Sequence, residues 1–176
     1  MSNLRLINET SATDGVLSVT VTDLFSADFD IYQITFSDFQ SNGAFGLDFR
    51  FVNTSGTEIS TSNYDKAMLA MPAYTGFVEI RATNQNYIDR FIDMYGFSAT
   101  GQSSFGTCYV FNPYSNSSYT FYIAQGGLVG SNTSLTKSIG VLKNTDRVGG
   151  IKVYSDDGVD TFKTLKIRTY GLRVDS

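Results

Sequence analysis

Phe45-Gly46-Leu47-Asp48-Phe49-Arg50-Phe51 alternates a large apolar residue with a small or charged one at every step. Phe45, Leu47, Phe49 and Phe51 fall on one face of an extended chain, and Gly46, Asp48 and Arg50 on the other. A period of two over this length fits a strand with one face on a core and fits a helix poorly. Upstream, Asn42-Gly43 is a turn signal, and Phe29-Asp-Ile31-Tyr-Gln-Ile34-Thr-Phe36 reads as the preceding strand, so a hairpin joining the two is expected.

The same alternation recurs outward from this segment. It is present in Leu17–Thr22, Phe77–Arg81, Tyr87–Tyr95, Phe105–Phe111, Tyr119–Ile123, Ser138–Leu142, Ile151–Tyr154 and Phe162–Tyr170, the last with Lys166 and Arg168 toward water. Turn-forming residues separate most of these runs. The expectation is an all-β fold, a two-sheet antiparallel sandwich of jelly-roll type with about nine or ten strands. Residues 1–176 form one domain on this reading, with no interior linker, charge run or repeat. Tyr87–Tyr95 is amphipathic enough to leave a helix open. Ser62–Met71, stopped by Pro72, reads either as a short helix or as an extended connection. Residues 1–8 are expected to pair with the sheet or to reach a neighbouring subunit.

Composition supports sheet. The chain holds 14 Phe, 11 Tyr and 16 Gly but no Trp and only 2 Pro, a balance that suits pleated, half-buried surfaces joined by turns. Its single cysteine, Cys108, excludes an internal disulfide framework and reads as a small buried hydrophobe. A net charge of −4, with Lys and Arg scattered singly, leaves no basic stripe to neutralise phosphates, so no nucleic-acid partner is expected. No signal peptide is evident at the start, and no apolar run has the length of a membrane helix.

The absence of His removes the commonest general base, the Ser/His and Cys/His nucleophile pairs and the usual transition-metal ligand. Gly126-Gly127 and Gly149-Gly150 form no phosphate-cradling motif and read as turns or bulges. The expectation is therefore no enzyme, no cofactor and no metal. Carboxylates alone keep a catalytic alternative open, because two suitably spaced Asp residues hydrolyse glycosidic bonds. Asp28 with Asp30, and Asp156, Asp157 and Asp160, are the densest groups; both read first as turn formers. A weak calcium site is the alternative for the second group, which matches no EF-hand spacing. The loop Asn112-Pro-Tyr114-Ser-Asn116-Ser-Ser-Tyr119 carries two rings among hydrogen-bonding groups. Asn112, Tyr114, Asn116 and Tyr119 are accordingly the candidate contacts for a ligand or partner, with sugar stacking as one use. The plainer reading has Tyr119 in a strand and Pro113-Tyr114 shaping a turn.

Four pieces spread over most of the chain carry a resemblance: Phe29-Asp-Ile-Tyr-Gln-Ile-Thr-Phe-Ser-Asp38; Leu47-Asp-Phe-Arg-Phe-Val52 leading to Ser62-Asn-Tyr-Asp65; Val110-Phe-Asn-Pro-Tyr-Ser115; and Leu165-Lys-Ile-Arg-Thr-Tyr-Gly-Leu-Arg173. Together they resemble small virion structural proteins of marine tailed bacteriophages of the cyanophage and pelagiphage kind. The resemblance implies a particle protein assembled in the host cytoplasm and located in the virion, and it carries over no catalytic residue. Its partners would be other virion proteins of capsid or tail and further copies of itself, a three-fold homo-oligomer being the first expectation by analogy. A capsid decoration or surface knob protein leads. The alternative is the receptor-binding head of a tail or capsid fibre that attaches to host glycans, and the minor one a polysaccharide depolymerase using paired Asp.

Overall fold

The computed structural model describes residues 4–43, 46–95, 103–129 and 133–172. Among these residues there are twelve strands and no helix: β1 (Leu4–Ala12), β2 (Ser18–Val21), β3 (Ile31–Ser41), β4 (Gly46–Asn53), β5 (Tyr64–Pro72), β6 (Val78–Gln85), β7 (Ile88–Tyr95), β8 (Ser103–Phe111), β9 (Thr120–Val129), β10 (Ser134–Leu142), β11 (Val148–Ser155) and β12 (Phe162–Leu172). They build two antiparallel sheets. One has eight strands in the order β1-β12-β3-β8-β9-β10-β5-β6, and the other has four in the order β2-β11-β4-β7.

The expected sandwich is therefore present, with two to three more strands than the alternation alone indicated. β1 with β12, β2 with β11, β3 with β8 and β4 with β7 are nested antiparallel pairs. That nesting is the strand order of a jelly roll. The hairpins β5–β6 and β9–β10 interrupt the roll and lengthen one sheet only, joined to each other along β10 and β5. The larger sheet consequently overhangs the smaller one, and β6 is its outermost strand.

Leu47, Phe49 and Phe51 are fully buried on the inner face of β4, as their spacing requires; Phe45 lies outside the described residues. Opposite them, Tyr32, Ile34 and Phe36 of β3 are equally buried. Phe91 of β7 stands between the layers, its ring 5.2 Å from Phe36 and 5.0 Å from Phe49. Aromatic edges meeting faces in this way fill the inter-sheet space at low entropic cost.

Three expectations need correction. β3 and β4 form no hairpin, because the chain crosses between sheets after Asn42: β3 pairs with β12 and β8, β4 with β11 and β7. Residues 64–72 are a strand, neither the short helix nor the extended connection expected of Ser62–Met71, whereas the strand expected at Tyr87–Tyr95 is present from Ile88. Gly126-Gly127 lies inside β9 rather than in a turn. A Cβ on Gly126 would stand 2.5 Å from the Phe105 carbonyl oxygen and closer still to Ile92, so Gly126 lets β7 descend onto β9, whereas a Cβ on Gly127 would meet Leu135 on the outer face. Gly149-Gly150 does mark a bulge, at the register shift between β11 and β4.

Candidate interaction surface

β10 reverses the usual rule. Ser134, Thr136 and Ser138 point inward and are buried, whereas Leu135, Lys137 and Ile139 point outward. β9 and β8 share the apolar exterior, with Phe121, Ile123 and Phe105 outside, but their inner positions mix small Thr120, Ala124 and Ser104 with buried Tyr122 and Val110. Exposures of 51% for Phe105, 44% for Phe121, 51% for Ile123, 48% for Leu135 and 57% for Ile139 show that these are large apolar side chains in water, not core residues. Inner positions are small where β7 packs closely: the Ser138 hydroxyl donates to the Phe91 carbonyl, and Gly126 sits beneath Ile92. Large residues are thereby forced to the exterior.

Strand register organises them into rows. One row runs Leu6–Tyr170–Gln33–Tyr109–Ile123–Ile139–Ala67, directly opposite one another from β1 to β5. A second runs Leu4–Leu172–Ile31–Phe111–Phe121–Val141 beside it. Cross-strand neighbours on one face are close enough to pack, so the second row is a continuous apolar ridge and the first is one interrupted by Gln33, whose amide donates to the Tyr109 hydroxyl. Two shallow hollows flank Ile123 and Ile139. One of about 520 Å³ is lined by Ala67, Phe111, Phe121 and Val141, and one of about 650 Å³ by Leu69, Glu79, Arg81, Gln125 and Lys137.

The outer face of the four-stranded sheet has the opposite character. Arg50 bonds Glu58 at 2.8 Å and lies over the rings of Tyr87 and Tyr154, and Lys152 bonds the second oxygen of Glu58. The bond from Lys152, joined by that from Arg50, holds the Glu58 carboxyl below the ordinary glutamate range. Asp48, opposite Tyr154 in register, accepts the Arg90 N–H at 2.9 Å. Burial pushes its carboxyl up to about 6, with Asp89 and Asp156 adding to the effect. One exterior face is thus apolar and the other charged, a polarity that no single strand's alternation reveals.

The loop singled out in the sequence lies at one end of the sandwich. Asn112 adopts a φ of 55° at its start, donates its backbone N–H to the Asp30 carbonyl and its side-chain amide to Ser118. Tyr114 is half-buried and packs on the core, with the Arg147 guanidinium 5.2 Å from its ring centre. Asn112, Tyr114, Asp30 and Arg147 surround a cleft of about 260 Å³. Asn116 and Tyr119 are exposed and do not line it, so the loop brings two of its four candidates together.

The acidic groups serve turns. Asp157 accepts the Ser155 hydroxyl and the N–H groups of Val159 and Asp160, which together, the hydroxyl foremost, hold its carboxyl down to about 2. Asp156 accepts the Gly46 N–H, and Asp28 the Ser26 hydroxyl. Among the described residues, no three His, Cys, Asp or Glu side chains converge on a metal-sized space. No protein-family model matches the chain, and no curated protein sequence is significantly similar to it.

Proposed function

We propose that this protein is a non-enzymatic structural component of a bacteriophage particle, a capsid decoration or surface-knob protein. It seats the outer face of its eight-stranded sheet on a neighbouring particle protein and turns its charged four-stranded face to water. The observation that carries the reading is the row of large apolar residues on the exterior of β1, β8, β9 and β10, the last with its alternation inverted. Seven of them, Leu4, Leu6, Phe105, Phe121, Ile123, Leu135 and Ile139, are each about half exposed. At roughly 200 Å² per large side chain they offer on the order of 700 Å². That approaches the ~800 Å² one partner contributes to a stable interface and exceeds the few hundred Å² usual for a monomer's largest patch. The resemblance to marine phage virion proteins names the class of particle.

The test is occupancy of purified particles by wild-type protein and by a double variant, Ile123→Lys with Ile139→Lys. Hundreds of wild-type copies per particle and loss of the variant, folded in solution, are expected. Equal incorporation of the variant refutes the seating face, and absence of the wild type from particles refutes the proposal.

One observation favours a second reading, a fibre head that binds host glycans: the small cleft where Tyr114, Asn112, Asp30 and Arg147 meet. A ring bordered by amide, carboxylate and guanidinium groups suits a sugar. On that reading Tyr114→Ala abolishes retention on immobilised host polysaccharide, and copies number a few dozen or fewer.

A further inference from the structure

The hairpin β5–β6 carries β6 past the rim of the four-stranded sheet; among the described residues β6 pairs with β5 alone, and no strand pairs with its far edge. Its residues are exposed or half-exposed throughout, and the turn before it displays Tyr74 and Phe77, the latter 73% exposed. An open edge presents a row of unpaired backbone N–H and C=O groups, and such an edge is a template for another strand. Other edges are less suited. β1 is bulged between Leu6 and Asn8, β2 has four residues, and β7 pairs irregularly with its own neighbour.

The sequence of β6 is complementary to itself read backwards. Ala70↔Val78 and Lys66↔Ala82 bound a run of unbroken register on β5, and the register shifts beyond it, where Asn84 takes a φ of 55° and donates its N–H to Asp65. The regular stretch is thus Val78-Glu79-Ile80-Arg81-Ala82, five residues centred on Ile80. A second copy laid antiparallel about Ile80 places Glu79 opposite its partner's Arg81, and Arg81 opposite its partner's Glu79. Both crossed ion pairs lie on one face. On the other, Val78 meets Ala82, Ile80 meets Ile80 and Ala82 meets Val78. Glu79 and Arg81 already bond within one strand at 2.9 Å while largely exposed, so they are free to exchange partners across the two-fold axis.

We infer that two copies of this chain pair edge to edge through β6, about a two-fold axis at Ile80, joining two eight-stranded sheets into one of sixteen. Such a contact is isologous, the commonest arrangement in homo-oligomers, in contrast to the three-fold one suggested by analogy. It leaves the apolar outer face free and needs no other particle protein.

Sedimentation of the pure chain tests it. Wild type is expected to reach twice the 19.3 kDa chain mass, with a dissociation constant in the range of roughly tens of micromolar for so small a contact. Glu79→Arg gives one copy two cations in β6, and Arg81→Glu gives two anions. Each variant alone repels itself, and its dissociation constant should rise about tenfold or more. Mixed one to one, the two variants complement each other, and a heterodimer should form within about threefold of wild-type affinity. Because both side chains are exposed, the variants keep the fold, verified by unchanged near-ultraviolet circular dichroism. A wild-type chain still monomeric at about 1 mM overturns the inference; so do variants that dimerise like wild type, and a mixture that fails to associate.

Discussion

The hydroxyl of Tyr64 accepts the backbone N–H of Phe51 at 3.1 Å while its ring lies nearly parallel to that of Phe51. Tyr64 begins β5 of the large sheet and Phe51 belongs to β4 of the small one, so this bond rivets the layers together. The same hydroxyl donates to the Ile59 carbonyl at 2.8 Å, anchoring the connection between those strands. Both residues are buried, which leaves no water to replace either partner. Tyr64→Phe therefore strands an N–H and a carbonyl, and a cost of about 2 kcal/mol is expected. A lower urea midpoint with an unchanged slope would report it; an unchanged midpoint would show the rivet to be idle.

Cys108 faces inward from β8 between Ile34 and Ala124, fully buried. Burial alone pushes its thiol well above the ordinary cysteine range, and the thiolate is the reactive form. Ellman's reagent at pH 8 should find no thiol in the native chain and one per chain in denaturant. Rapid labelling of the folded protein would contradict the packing of this strand.

Asp48 makes stability depend on pH. Its carboxyl titrates near 6 in the folded chain, against an ordinary value of about 3.9 when unfolded. Between those values the folded state holds the extra proton. The group's favourable contribution is complete below pH 4 and is lost as pH rises through 6. Asp48→Asn keeps the oxygen that accepts the Arg90 N–H and removes the buried charge. It should stabilise the chain by about 2 kcal/mol at pH 8, and the gain should vanish near pH 4. Urea midpoints at pH 4, 6 and 8 measure this, and a gain independent of pH would assign it to something other than ionisation.

What could be read in advance divides along physical lines. β4 and β3 were legible because Leu47, Phe49 and Phe51, like Tyr32, Ile34 and Phe36, put bulk on the core face. β5 was not: Ala67, Met68, Leu69 and Ala70 are helix formers, and buried Lys66 interrupts the apolar alternation on the inner face. The apolar exterior was hidden for a deeper reason. β10 alternates as regularly as β4, but periodicity cannot say which side of a strand is inside. Only the descent of β7 onto Gly126 and Ser138 decides that the small residues go in. The Gly126-Gly127 pair was the available signal, as a place where another backbone comes close. Gly126→Ala should accordingly cost about 3 kcal/mol through overpacking, read as a fall in melting temperature. A neutral effect would mean that β7 stands further off than the structure has it.

Lys66 and Asp89 supply the last expectation. The Lys66 side chain is 3% exposed, and its ammonium bonds both the backbone carbonyl and, at 3.3 Å, the carboxylate of Asp89. Desolvation lowers its proton affinity, opposed by Asp89 and, more weakly, Asp48. Asp89 is 39% exposed, so water can solvate it once the amine is gone. A buried pair of this kind adds little net stability over a hydrophobic side chain of equal length. Lys66→Met should therefore stay within about 1 kcal/mol of wild type, because the thioether chain keeps the packing between β5 and β7. Lys66→Ala loses that packing and should cost about 2 kcal/mol. If methionine proves as damaging as alanine, the charge rather than the aliphatic stem holds this part of the sandwich together.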